Sequence, residues 1–208
     1  MLNLRFQDIF PNYIDHNKKL DITNINDLEL VVEAFSPDLI INCAAFTNVD
    51  LNEEDRLTAY NINVGGLANI IKSSNLNTKI IHISTDYVFD GSKRSYREED
   101  LPCPLSYYGK LKLESENLLR SSNRKSLIIR TSVIFSHKKN NFFTWVFNSL
   151  KNNKIINVVH DQTSNPTWVN SLSETIKVSI DSDLCGLYHF AGHDVMSRFE
   201  FALKIRHM

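Results

Sequence analysis

Glycine is scarce in this sequence, with six in 208 residues and none before Gly65, and proline occurs only five times. That scarcity, beside 42% hydrophobic and 23% charged residues, excludes a collagen-like, low-complexity or disordered chain. No charge of one sign dominates. Lys and Arg (23) nearly cancel Asp and Glu (24) to leave a net charge of −1, so the basic excess of a nucleic-acid binder is missing. Uninterrupted apolar runs fall short of the roughly 18 residues of a membrane helix, and no signal peptide opens the chain. The three cysteines, Cys43, Cys103 and Cys185, are odd in number and lack metal-ligand spacing. They read as reduced thiols in a cytoplasmic protein the size of one large or two small domains.

What is present is an alternation of helical and strand patterns. Leu4, Phe6, Ile9 and Phe10 can form the tail of a helix that Pro11 stops, and Asn12–Ile14 a short strand. Asn24 or Asn26 can cap a helix with Leu28, Val31, Val32 and Phe35 on one face, ended by Ser36-Pro37. Asp38–Ala45 is then an almost continuous apolar run, as in a strand buried on both faces. The pattern continues with helix 53–73, strand 79–84, helix 105–121, strand 126–130, helix 142–151 and a short strand 155–159. Helix 172–182 and strand 187–190 precede a final helix, where Ser197 and Glu200 form a capping-box pattern. Glu53-Glu54-Asp55 reads as the acidic first turn of a helix.

Strands alternating with helices imply an α/β protein with a doubly wound parallel sheet. Residues 1–150 are expected to form that domain, and 151–208 a smaller appended region interleaved with it. In such sheets ligands bind beyond the carboxyl ends of the strands. Ala44, Ala45, Phe46 and Thr47 follow one strand, and Ser84, Thr85, Asp86 and Tyr87 the next. The small Ala44-Ala45 pair permits close approach of a flat ligand, and equally a tight turn.

Tyr108 and Lys112 stand four apart and share a helix face. A lysine ammonium near a phenol favours the phenolate, lowering its pKa from about 10 toward a range suited to carbonyl/alcohol interconversion. Such a pair also occurs on solvated helices. Thr85, at a strand end, adds a hydroxyl that can reach the same carbonyl oxygen. His82 and His189 read as satisfied core residues and His160 as part of a loop's hydrogen bonding; no cluster has metal-site spacing.

Several segments together resemble the extended short-chain dehydrogenase/reductase family, in its dTDP-4-dehydrorhamnose reductase branch. They are LDITN (20–24), PDLIINCAAFTNVD (37–50), AYNINVGGLANI (59–70), HISTDYVFDG (82–91), PLSYYGKLKLE (104–114), RTS (130–132), DQTSNPT (161–167) and GLYHFAG (186–192). The resemblance implies a Rossmann-like fold and NADPH (or NADH)-dependent reduction of the 4-keto group of dTDP-4-dehydro-L-rhamnose. It makes Tyr108 the proton donor, Lys112 the residue that tunes it and holds the nicotinamide ribose, and Thr85 the carbonyl-polarising hydroxyl. Asp21 and Ile22 would flank the adenine, Ala44, Ala45 and Phe46 would cover the cofactor, and Asn63 would support the site. Tyr87, Asn141, Phe142 and Gln162 would line the sugar-nucleotide pocket. The implied partner is a nucleotide-sugar substrate, with a homodimer as candidate assembly; some relatives use Mg²⁺ at a subunit contact, and no residue here marks a place for it.

The family's opening strand and G-x-x-G-x-x-G turn have no counterpart before Gly65. The expectation is therefore a chain shortened at both ends to about two-thirds to three-quarters of family length, poorly stable and weakly active. Val133 stands where many relatives soon place an aromatic residue, with Phe135 nearby as a substitute. Two other readings stay open. One is a non-catalytic regulatory subunit of the methionine adenosyltransferase β type. The other is a nucleotide-sugar epimerase or dehydratase, less favoured because Asp86 is followed by Tyr87 rather than Glu.

Overall fold

The computed structural model describes residues 20–138 and 140–208; the helix and strand expected before residue 15 lie outside these. The chain divides into two compact units, one reaching to Arg130 and including Leu184–His189, the other made of Thr131–Asp183 and Phe190–Met208. The sequence places a division near residue 150. The units instead part at 130/131, and each return crossing follows a strand or helix end.

In the first unit Asn24 caps helix α1 (Ile25–Phe35) by accepting from the amides of Asn26 and Asp27, and Ser36 ends it in the left-handed conformation. Leu28 and Val32 are buried, whereas Phe35 is exposed. Strand β1 (Leu39–Asn42) pairs in parallel with β2 (Lys79–Thr85), Asn42 opposite His82. Strand β3 (Ser126–Thr131) follows in the sheet, and Gly186–His189 pairs in parallel with it at the far side. Burial on both faces holds for β2 but not for β1, which is buried only at Asn42. The reason is position: β1 is an edge strand among the described residues.

The helix expected over 53–73 is four pieces. They are α2 (Val49–Glu54), α3 (Arg56–Tyr60), a π-helical turn (Asn61–Gly65) and α4 (Gly66–Ser73). Glu53 and Glu54 thus end one helix rather than begin one, and Asp55 caps the next by accepting from Thr58. Helix α5 (Tyr107–Ser121) is capped by Ser106. Leu28 of α1, Leu67 and Ile70 of α4, Leu119 of α5 and Ile80 and Ile128 of the sheet form one apolar cluster. At about 25 cal/mol per Å² of apolar surface removed from water, such burial is what holds helices to the sheet.

The second unit begins with the two-residue strand β4 (Ile134–Phe135) and helix α6 (Phe142–Lys151). Its remaining elements are β5 (Thr163–Ser164), β6 (Thr167–Trp168), α7 (Val169–Asp181), β8 (Met196–Ser197) and α8 (Arg198–Arg206), with β7 (Gly186–His189) belonging to the first unit. Strand β4 pairs with β6, and β5 with β8. The capping box of Ser197 and Glu200 is present. Val146 of α6 packs with Phe201, Ala202 and Ile205 of α8, which is why α6 belongs here and not with the sheet. Residues 155–159 form no strand. Ile156 and Val158 face this core while Ile155 is 98% exposed, so the alternation is strand-like without a partner strand among the described residues. No helix among the described residues is long and apolar enough to cross a membrane.

Candidate active site

The carboxyl ends of β1 and β2 lie side by side, and the turn after each carries candidate residues. Beyond β1, the turn at Ala44–Phe46 is held from below. Asn63 accepts from the Phe46 amide at 2.9 Å and donates to the Phe46 carbonyl at 3.2 Å. Asn52 also donates to that carbonyl, at 2.9 Å, and accepts from Asn63. The π-helical turn places Asn63 for this, and Ser115 of α5 donates to the Asn63 carbonyl at 2.7 Å. Single π-turns inside helices recur at functional sites because they re-aim a side chain.

Beyond β2, Thr85 caps a short 3₁₀ turn (Asp86–Val88) and accepts from the Tyr87 amide. Helix α5 comes close enough to this turn only because Gly109 has no side chain: a Cβ there would lie 2.2 Å from the Tyr87 carbonyl oxygen. The approach sets Tyr108 beside Thr85 and Tyr87, the two tyrosine rings meeting edge to face at 5.8 Å. Thr85, Tyr108 and Lys112 are all buried.

The electrostatics differ from the expected picture of a phenol softened by a cation. Burial pushes the Tyr108 phenol up to about 12, opposed by a hydrogen bond with Thr85 and reinforced by Asp86 and Tyr87. Lys112, fully buried, is pushed down to about 8 by desolvation, with Glu116 acting the other way. Its ammonium nitrogen donates to the Ile83 carbonyl at 2.8 Å and lies 2.9 Å from His82 Nε2. Both contacts point Lys112 into the sheet end. With its pKa raised to about 12, the Tyr108 phenol keeps its proton at neutral pH.

The remaining candidates divide. Asp21 is exposed and accepts from the Thr23 amide and hydroxyl, which lowers its carboxyl pKa. Ile22 packs on Gly66 and the apolar cluster. Asn141, Phe142 and Gln162 lie in the other unit. Asn141 caps α6 and donates to the Ser136 and Lys138 carbonyls. Phe142 stacks on Phe201 at 5.6 Å, with the Arg198 guanidinium over its ring. Gln162 is exposed, its carbonyl accepting from the Arg198 amide. Phe135 is engaged by Trp168 and Phe201 at 5.3 and 5.0 Å, so its ring serves the core of its unit. Among the described residues no group of three or more His, Cys, Asp or Glu is arranged to hold a metal.

The model of the RmlD substrate binding domain family matches residues 10–208. The chain belongs to that family. A dTDP-4-dehydrorhamnose reductase of Aggregatibacter actinomycetemcomitans is 38% identical over 195 residues, covering 90% of this chain and 66% of that protein. Methionine adenosyltransferase 2 subunit beta of Rattus norvegicus is 32% identical over 200 residues, covering 90% of this chain and 60% of that one. The crystal structure of dTDP-4-dehydrorhamnose reductase from Bacillus anthracis in complex with NADP matches with a TM-score of 0.91 at 38% identity. That match covers 98% of this chain and 75% of the other. The chain thus spans 60–66% of the length of these curated relatives, less than two thirds.

Within this RmlD-family chain the buried partners of Lys112 are what the sequence reading missed. Glu116, one turn beyond Lys112, accepts from the Ser84 hydroxyl and pairs with Arg130. Asn42 Nδ2 lies 3.1 Å from His82 Nδ1. The available signal was the four-residue spacing Tyr108, Lys112, Glu116 along one helix face.

Proposed function

We propose that this chain carries the machinery of a nucleotide-sugar reductase, reducing the 4-keto group of dTDP-4-dehydro-L-rhamnose with NADPH (or NADH) in the cytoplasm. The observation that carries this reading is the gathering of Thr85, Tyr108 and Lys112 at the carboxyl end of β2 in a chain 38% identical to proteins of that name. The donor set fits the nicotinamide end of the cofactor. Ala44 is exposed on a turn whose backbone is fixed by Asn63, and Tyr108 and Lys112 flank the neighbouring strand end. When bound, NADPH supplies the hydride.

In this reading Tyr108 gives its proton to the oxygen that was the ketone, a transfer its undissociated state permits. Thr85 orients the same oxygen and holds the phenol in line. Lys112 stands behind as the polar contact for the cofactor's ribose, and Ala44–Phe46 form the wall against which the cofactor lies. Asp21 and Ile22 flank its adenine, and Tyr87 meets the sugar. Asn141, Phe142 and Gln162 act within their own unit, as cap, core residue and loop.

The test is direct: the full chain is mixed with NADPH and dTDP-4-dehydro-L-rhamnose, and loss of NADPH absorbance is followed with chromatographic detection of dTDP-L-rhamnose. Product formed by the wild type and lost in Tyr108→Phe supports the reading; no turnover over background, with NADPH binding absent, rejects it. A second reading is favoured by the 32% identity to methionine adenosyltransferase 2 subunit beta: a partner-binding subunit of a synthetase. Co-purification with a methionine adenosyltransferase, without reductase turnover, supports that alternative.

A further inference from the structure

A carboxylate in the last turn of a helix lies at the wrong end of that helix's dipole. Glu53 stands there on α2, yet its carboxyl is held below its ordinary pKa, first by the Tyr107 amide and then by Arg56, with Lys110 adding to both. The pair with Arg56 does not account for the placement. At 2.8 Å it joins side chains that are 43% and 64% exposed, where an ion pair contributes little. The other oxygen decides the matter: Glu53 Oε1 accepts from the Tyr107 amide at 2.7 Å, across 54 positions of sequence.

Tyr107 is the first residue of α5, and its N–H is one of the amides that a helix start leaves without an intrahelical partner. Helix α5 has no acidic residue in its own first turn. Ser106 accepts from the Gly109 amide at 3.1 Å, and Glu53 brings in from α2 a second acceptor together with the negative charge that this end of a helix favours. Arg56, bound to Glu53 Oε2, sets its guanidinium over the Tyr107 ring at 4.9 Å. Carboxylate, guanidinium and the capped residue thus close a circuit of contacts. Tyr107 packs as well against the cluster of Ala59, Val64 and Leu111.

Helices fray at their ends, and Tyr108 is the second residue of α5, so its place depends on the turn most prone to open. Gly109 brings that turn against the Tyr87 carbonyl, and Glu53 ties the same turn to α2. Helix α2 is itself anchored: Asn52, the neighbour of Glu53, is buried and donates to the Phe46 carbonyl at 2.9 Å. Consecutive residues of one short helix therefore reach the turn after β1 and the start of α5. We propose that Glu53 is a positioning residue, which pins the first turn of α5 to α2 and so fixes Tyr108 both against Thr85 and relative to the turn at Ala44–Phe46. The catalytic consequence rests on the reductase reading; the pinning does not. The acceptor oxygen does the work, so a glutamine can serve in part and an alanine cannot.

The test compares Glu53→Ala and Glu53→Gln with the wild type, each as the full chain. Amide hydrogen exchange, read by nuclear magnetic resonance, is expected to quicken about fivefold to tenfold at residues 107–109 in Glu53→Ala. The amides of β2 keep their wild-type rates, and Glu53→Gln falls between. The ring resonances of Tyr108 are expected to move in Glu53→Ala and return toward wild type in Glu53→Gln. With NADPH and dTDP-4-dehydro-L-rhamnose, kcat is expected to fall about tenfold in Glu53→Ala. KM stays within about twofold, as for an interaction that acts in the transition state, and Glu53→Gln recovers most of the rate. A merely structural role would lower the melting midpoint of Glu53→Ala and leave kcat per folded molecule unchanged; that result overturns the proposal. Wild-type exchange at 107–109 with an unmoved Tyr108 ring in Glu53→Ala overturns it as well. Should that variant not fold, the wild type decides: a Tyr107 amide exchanging as fast as an unpaired surface amide overturns the proposal, and a protected one supports it. Absence of NADPH turnover in the wild type rejects the reductase reading, and exchange and the Tyr108 ring then decide the pinning.

Discussion

Glu116 and Arg130 meet at 2.7 Å with side chains 0% and 3% exposed. The contact is two-pronged: Arg130 Nε donates to Oε1 at 3.0 Å while Nη2 donates to Oε2. Taking both ions out of water is expensive, and their geometry has to repay it. Glu116→Gln is therefore expected to destabilise the protein by about 3 kcal/mol or more, since it leaves the Arg130 cation buried without its counter-charge. Replacing both, as Glu116→Leu with Arg130→Met, is expected to restore most of that loss. Urea unfolding of the three proteins checks the order, and a single variant no worse than the double contradicts it.

Tyr108→Phe removes the proposed proton donor while keeping the edge-to-face contact with Tyr87. The expected result is a loss of turnover of about 10²- to 10⁴-fold with little change in unfolding midpoint. Steady-state rates and a thermal melt on the same preparation separate the two effects.

Alkaline pH should stabilise the folded state through Lys112. Its pKa falls from 10.5 in the unfolded chain to about 8 when folded. Across that window the unfolded state holds more protons, so stability rises with pH. The full effect is about 3 kcal/mol. Tyr108 acts oppositely at higher pH, because its folded pKa of about 12 exceeds the ordinary 10.0. The difference in stability between wild type and Lys112→Met isolates the lysine, and a pH-independent difference would contradict the assignment.

Gly109→Ala is expected to separate α5 from the Thr85–Val88 turn, since the added carbon would lie 2.2 Å from the Tyr87 carbonyl. A stability loss of about 1–3 kcal/mol is expected from such overpacking, with a larger proportional loss of turnover because Tyr108 is the adjacent residue. Equal turnover in the variant would show that the phenol's position does not depend on this approach.

Local signals carried the sequence reading where they were sufficient to specify structure. The α6 bounds, the Asn24 cap and the Ser197–Glu200 capping box depend on a few neighbouring residues, and all were legible. Segment 155–159 was misread because alternation shows which side chains turn inward but not whether a partner strand is there to pair with. The single helix expected over 53–73 failed for a different reason. Asp55 makes a better cap than a helix interior residue, and the π-turn exists to serve a contact with Phe46, seventeen positions away in sequence. Tyr108, Lys112 and Thr85 stood out by type and spacing. The lowered pKa of Lys112 did not, because it comes from burial by segments distant in sequence.

The clamp beneath the β1 turn separates two properties that a loop usually combines. Asn63 and Asn52, both interior and both on later segments, fix the path of the Phe46 backbone. Ala44, exposed, and Ala45, half-buried, have no side-chain polar group to add to that clamp. Shape and surface of this turn are thus written in different places, so the surface can be re-lettered, a larger or polar side chain set at 44 or 45, while the backbone beneath keeps its course.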